Sequence, residues 1–210
     1  MNIVGPVLGH YDTLKSLLRK GFKGDYLFTG NLFSFDPANE REDELILHWL
    51  FQYRKSKKIK TLLGLKEMII VDQYLSLDSS YSPLLKPLHK ENFLFDAFGQ
   101  LKDARQEEQL KWLSSMPIYL EYKKVIISPS SNIDLNTPIY FKDLTPADLK
   151  LITSGKTCKI QKRRVIGTLS NHNRSGELKE LPFFSLDSEN PSSGEILVLQ
   201  YPTYILSSYK

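Results

Sequence analysis

Three short apolar runs in the first third of the chain each break at a glycine, and the stretches between them repeat apolar residues at helical spacing. This alternation constrains the fold more than any other feature, because strands separated by helices pair in parallel. Ile3-Val4 runs into Gly5-Pro6, and Tyr11, Leu14, Leu17 and Leu18 follow on one helical face with Gly21 as a stop. The second run, Asp25 to Thr29, ends at Gly30-Asn31; the third, Ile59 to Leu63, is closed by Gly64. Between them, Leu45, Ile46, Trp49, Leu50 and Tyr53 form an apolar stripe behind Glu40, Glu42, Asp43 and Glu44. Acids at that helix start and Arg54-Lys55 at its end both suit the helix dipole. The pattern predicts an α/β fold with parallel strands, whose ligand site lies beyond their carboxyl ends.

Further along, Glu107 to Ser115 reads as a helix that stops before Met116-Pro117, with Leu110 and Leu113 on one face. Ile118 to Glu121 and Lys124 to Ile127 read as a strand pair leading to Ser128-Pro129-Ser130. Thr145-Pro146-Ala147-Asp148 is a helix start, with Thr as cap, Pro in the first turn and an acid third. Short strands are expected at Phe183 to Leu186, Ile196 to Leu199 and Thr203 to Leu206, and 170–180 (SNHNRSGELKE) reads as an exposed loop. With no repeat, low-complexity tract or linker, 1–210 is expected to form one domain.

Composition bounds the function classes. At 41% hydrophobic and 25% charged, the chain can bury a sizeable core. Lys+Arg 28 against Asp+Glu 24 gives +4, too mild a bias to call for a nucleic-acid or membrane partner. The single cysteine, Cys158, excludes an internal disulfide and a cysteine-based zinc cluster, and it fits a reducing compartment. MNIVGPVLGHYD lacks a basic leader and a long apolar stretch, so a cytoplasmic location is expected.

The loops resemble those of the metal-dependent phosphoesterases of the Ser/Thr-protein-phosphatase type, in the calcineurin-like superfamily and closest in flavour to its small bacterial and phage enzymes. Gly5-Pro6-Val7-Leu8-Gly9 is similar to the family's G-D-x-H-G, Gly30 to Asp36 to its G-D-x-V-D-R-G, and Gly64-Leu65-Lys66-Glu67 to its G-N-H-E. Trp112 to Pro117 resembles the W-L-x-x-L-P segment, Ser128-Pro129-Ser130 stands where H-A-G would, and Gly167-Thr168-Leu169 where G-H-T would. The resemblance spans the chain and implies a two-sheet β-sandwich of mixed sheets flanked by helices, four layers in the order αββα.

The family's chemistry uses two divalent cations that clamp phosphate and activate water. Carried over position by position, the first-loop Asp and His would be Pro6 and Leu8, the bridging Asp would be Asn31, and the third-loop Asn would be Leu65. The two late histidines would be Ser128 and Thr168, the general-acid His would be Lys66, its orienting Asp would be Ser34, and the phosphate-binding Arg would be Phe35. Hard and borderline cations need carboxylate, amide or imidazole ligands, and this set supplies almost none. The resemblance therefore implies a pseudophosphatase with no metal cofactor, acting by binding a protein partner or a small phosphorylated ligand.

Alternatives stay open at this level. Asn31, Lys66, Ser128, Thr168 and His10 would converge in the old crevice, as an anion pocket or as polar filler. Asp12, Asp25, Asp36 and Glu67 could build a displaced metal site for an active hydrolase, although Asp12 and Glu67 fall at helix starts, where capping and dipole roles fit. Phe33 and Phe35 could form a docking patch or fill the volume that metals vacate. His10, His48, His89 and His172 show no metal spacing, and Cys158 has no histidine beside it. The basic runs 54–60 (RKSKKIK) and 156–164 (KTCKIQKRR) read as solvated faces; a nucleic-acid role would rest on them alone.

Overall fold

The computed structural model describes residues 1–20, 24–122, 125–129, 137–153, 164–167, 175–178, 183–186, 195–201, 203 and 205–209. The expected alternation is present at the start: β1 (Asn2–Val4), α1 (Tyr11–Lys20), β2 (Tyr26–Phe28), α2 (Glu40–Gln52), β3 (Ile59–Thr61) and α3 (Leu65–Leu75). Then come α4 (Glu107–Ser114), β4 (Leu120–Tyr122), β5 (Val125–Ser128), α5 (Pro146–Thr153), β6 (Arg164–Gly167), β7 (Ser175–Leu178), β8 (Phe183–Leu186), β9 (Ile196–Gln200) and β10 (Ile205–Tyr209). Two mixed five-stranded sheets result, in the orders β10-β9-β1-β2-β3 and β4-β5-β6-β8-β7. The first is parallel across β1-β2-β3 and antiparallel at β9 and β10; the second is parallel across β5-β6-β8 with antiparallel β4 and β7.

Period-two alternation decides which layer each side chain enters. Ile3, Leu27 and Leu199 from one sheet meet Val125, Ile127, Ile166 and Leu186 from the other. Their neighbours Val4, Tyr26, Phe28 and Val198 turn the opposite way, into the core shared with α1 to α4. The fold is thus the expected sandwich of mixed sheets between helices. At α5, Thr145 caps as expected: its hydroxyl accepts from the Asp148 N–H at 3.2 Å, and Asp148 accepts the Thr145 N–H at 2.8 Å.

Three local expectations need correction. The buried face of α2 is Asp43, Ile46, Leu47 and Leu50, whereas Leu45 and Tyr53 are 37% and 44% exposed. An acid occupies the buried stripe, so a reading that assigns all acids to solvent rotates the helix. Within 170–180, residues Ser175–Leu178 form edge strand β7 rather than loop, because a strand paired on one side needs little apolar alternation. The last strand lies at Ile205–Tyr209, not at Thr203 to Leu206. Cys158, His172 and 156–163 lie outside the described residues. No helix among the described residues is long and apolar enough to cross a membrane.

Candidate functional site

The loops after β1, β2 and β3 come together at the carboxyl ends of the parallel strands. The Val7 and Leu8 N–H groups donate to the Asn31 carbonyl at 3.2 and 3.1 Å, and the Gly9 N–H donates to Leu32 at 2.8 Å. Gly30 and Gly64 meet backbone to backbone. A Cβ on Gly30 would lie 2.7 Å from the Gly64 Cα, and one on Gly64 would lie 2.6 Å from the Asn31 Oδ1. Neither position has room for a Cβ.

Two buried carboxylates hold the loops in place. Glu67, at the start of α3, accepts the Asn31 and Leu32 N–H groups at 2.7 Å each and the Gly64 N–H at 2.8 Å. It caps its own helix and clamps the second loop with one side chain. Asp43 accepts the Ser34 N–H at 2.8 Å, the Phe35 N–H at 3.1 Å and the Ser34 hydroxyl at 3.1 Å. Burial pushes both carboxyls above their ordinary range, and the backbone donors pull in the opposite direction. So held, the loops keep Leu8, Asn31 and Phe35 at φ of 52, 54 and 60°. The left-handed region costs a non-glycine residue roughly 1–2 kcal/mol, a strain that the braces sustain.

Lys66 extends from α3 to the second loop, where its ammonium donates to the Ser34 carbonyl at 2.6 Å. It lies 5.7 Å from the centre of the Phe35 ring, and Lys90 lies 5.7 Å from the same ring. Burial lowers the Lys66 pKa, while the Glu67 and Asp43 charges oppose that shift. The unfolded chain therefore holds this proton to higher pH than the folded one. Between the lowered folded value and about 10.4, the Lys66 contribution to stability rises with pH. Urea midpoints measured from neutral to alkaline pH should show that rise relative to Lys66→Met, and parallel profiles for the two proteins would contradict it.

Among solved structures, this arrangement is similar to known phosphoesterases. A candidate diadenosine tetraphosphatase matches over 99% of this chain and 91% of its own, at 16% identity and a TM-score of 0.62. A metallophosphoesterase from Sphaerobacter thermophilus matches over 100% and 87%, at 11% identity and a TM-score of 0.51. A serine/threonine phosphatase from Saccharomyces cerevisiae, with similarity to human phosphatase PP5, matches over 100% and 79%, at 11% identity and a TM-score of 0.54. No family model matches the sequence, and no curated protein does. The fold is that of the calcineurin-like metallophosphoesterases.

The residues present do not fit the two-metal centre of that fold. Pro6, Leu8 and Leu65 have no ligating side-chain atom. The Asn31 Oδ1 faces the Lys66 N–H at 3.4 Å, and Ser128, at the end of β5, is fully buried in the second sheet. Thr168 lies outside the described residues. Both oxygens of Glu67 and both of Asp43 already accept backbone N–H groups. Among the described residues, no three His, Cys, Asp or Glu side chains gather where they could hold a metal ion.

Of the polar residues expected to converge in the crevice, Asn31 and Lys66 are in contact, and Lys66 also bonds the Ser34 carbonyl. His10 sits at the entry to α1, with its N–H on the Val7 carbonyl at 3.1 Å. Among the acids weighed for a displaced site, Asp36 accepts the Ala38 N–H at 2.9 Å and Asp25 is exposed. Phe33 is fully buried with its ring 5.1 Å from that of Phe93, which agrees with volume filling, and Phe35 is half-buried. His48 lies on the helix surface against Gln52.

Sequence reasoning missed two residues that shape the site and its surroundings. One is Asp43, whose signal was an acid in register with Ile46, Leu47 and Leu50. The other is Asp72 of α3, which is fully buried. It accepts the Tyr81 hydroxyl and the Leu84 and Leu85 N–H groups at 2.9 Å each, and it meets the His89 Nε2 at 2.7 Å. An acid directly after the apolar run Met68 to Val71 was the available sign.

Proposed function

We propose that this chain is a non-catalytic member of the metallophosphoesterase fold, a pseudophosphatase that acts by binding a protein or a phosphorylated ligand. The observation that carries this reading is a split between two groups of residues. The braces that shape the three loops are intact in Glu67, Asp43, Gly30 and Gly64, while the positions that would hold metal are Pro6, Leu8, Asn31, Leu65 and Ser128. A two-cation centre needs charge to offset four positive units, and an amide, a hydroxyl and three side chains without ligand atoms do not supply it.

Binding, by contrast, needs only a preformed surface. Lys66 offers a point charge that could meet an anionic group, with the Ser34 carbonyl and the Phe35 ring beside it. Assays with p-nitrophenyl phosphate and bis-p-nitrophenyl phosphate in excess manganese are expected to show no hydrolysis above the protein-free rate. Turnover that tracks the protein through purification and is lost with EDTA would overturn the reading in favour of a displaced catalytic site.

A further inference from the structure

The second feature that stands out lies along the outer edge of β3, away from the crevice. In the parallel ladder the Tyr26 N–H donates to the Lys58 carbonyl at 2.7 Å, and the Leu62 N–H donates to the Phe28 carbonyl at 2.9 Å. Alternate residues of a parallel strand turn both backbone groups to the same side. Lys58, Lys60 and Leu62 therefore face β2, and the N–H and C=O groups of Ile59 and Thr61 face outward. β3 ends its sheet, and no described residue bonds to these outward groups. Two residues on, the Leu63 N–H turns the same way and is covered by the Pro117 carbonyl at 2.9 Å. The open edge is thus short and has a defined end.

A cleft of about 250 Å³ lies beside it. Tyr53, Trp112, Met116 and Leu120 supply apolar lining, with Arg54 and Lys60 among the polar groups. Arg54, Lys55, Lys57, Lys58 and Lys60 are all exposed, and no acid occurs from Gln52 to Leu63. The helix dipole accounts for Arg54 and Lys55, next to the end of α2, and fades before the three later lysines. Arg54 is held 3.8 Å over the Phe51 ring and 3.8 Å from the Glu108 Oε1, so its charge is partly met within the chain and the three lysines carry the open positive face.

Cations on an edge strand deter pairing with a like strand, which disfavours a second copy of this edge as the occupant. They favour a strand of opposite charge. We propose that the β3 edge docks an extended acidic segment of a partner protein, which adds as a strand along Ile59–Thr61 and places its acids against Lys57, Lys58 and Lys60. Backbone bonds to Ile59 and Thr61 would set the register, and alternate side chains would enter the cleft.

The probe is a fluorescein-labelled peptide of alternating valine and threonine flanked by glutamates, titrated into the full chain by fluorescence anisotropy. Saturable binding that weakens with added salt is expected. N-methylation of the amides on one alternate set should reduce affinity by about tenfold, and methylation of the other set should leave it unchanged. Combined Lys57→Glu, Lys58→Glu and Lys60→Glu substitution, all at exposed positions, should abolish binding while the thermal midpoint stays near that of the parent. No saturable binding would overturn the proposal. So would equal loss from the two methylated peptides, or displacement of the peptide by a single-stranded oligonucleotide of equal charge at lower concentration, since each marks a general polyanion surface.

Discussion

Replacing Glu67 by alanine is expected to destabilise the fold by about 4 kcal/mol, a large share of the roughly 5–15 kcal/mol that holds an ordinary domain folded. The carboxylate accepts N–H groups from Asn31, Leu32 and Gly64, and it is fully buried. Alanine leaves these donors without an acceptor in a place with little access for water, and an orphaned buried donor costs roughly 1–3 kcal/mol. Glu67→Gln should fall between the two, because the amide keeps one accepting oxygen and turns an NH2 group toward another donor. Glu44→Ala, on the exposed face of α2, is the control and should change stability by less than about 0.5 kcal/mol. Urea unfolding followed by tryptophan fluorescence measures all three. A loss below about 1 kcal/mol in Glu67→Ala would mean that the three loops hold together without this clamp.

The second large effect is steric. A Cβ at position 64 would lie 2.6 Å from the Asn31 Oδ1 and 2.8 Å from its Cγ, and closer still to the Asn31 backbone nitrogen. Backbone cannot yield by changing rotamer, so the second and third loops must move apart, and the Glu67 bonds lengthen with them. Gly64→Ala is expected to cost about 3 kcal/mol or more, at the upper end for overpacking. Gly30→Ala meets the same contact from the other side, and its φ of +90° adds left-handed strain. It should therefore be the worse of the two by about 1 kcal/mol. Gly99→Ala separates the causes, since that site also has positive φ, at +74°, but its nearest neighbour, the Gln73 Nε2, is 3.9 Å away. Its loss should stay near the strain value alone, about 1 kcal/mol. Equal losses at all three glycines would remove the close approach as the cause.

These predictions rest on features that were unequally visible in the sequence. The parallel strands were readable because Gly5, Gly30 and Gly64 punctuate them, and the need for glycine at the last two is the same close approach that G64A tests. Glu67 was readable as a helix-start acid, three residues after Gly64, but not as a clamp on the second loop. Its bond to Asn31 joins residues 36 apart in the chain, and no local pattern encodes that distance. Asp43 was masked by Glu40, Glu42 and Glu44, which made a buried acid look like one more member of a solvated cluster. β7 was hidden for another reason: an edge strand with the sequence SGEL carries none of the apolar alternation that marks a central one. The replaced ligand positions rest on the loop resemblance alone. Reading them needed only the identity of each residue in its loop, and no knowledge of how the loops pack.

In the proposed reading the loops keep the shape of a two-metal site without its ligands. Equilibrating the full chain with excess manganese, desalting it, and counting metal per chain by inductively coupled plasma mass spectrometry tests this most directly. A metal content at the level of a desalted control protein that lacks a metal site is expected. One or two manganese ions retained per chain would contradict it, because Pro6, Leu8, Asn31, Leu65 and Ser128 would then not be the whole of what the crevice offers a cation.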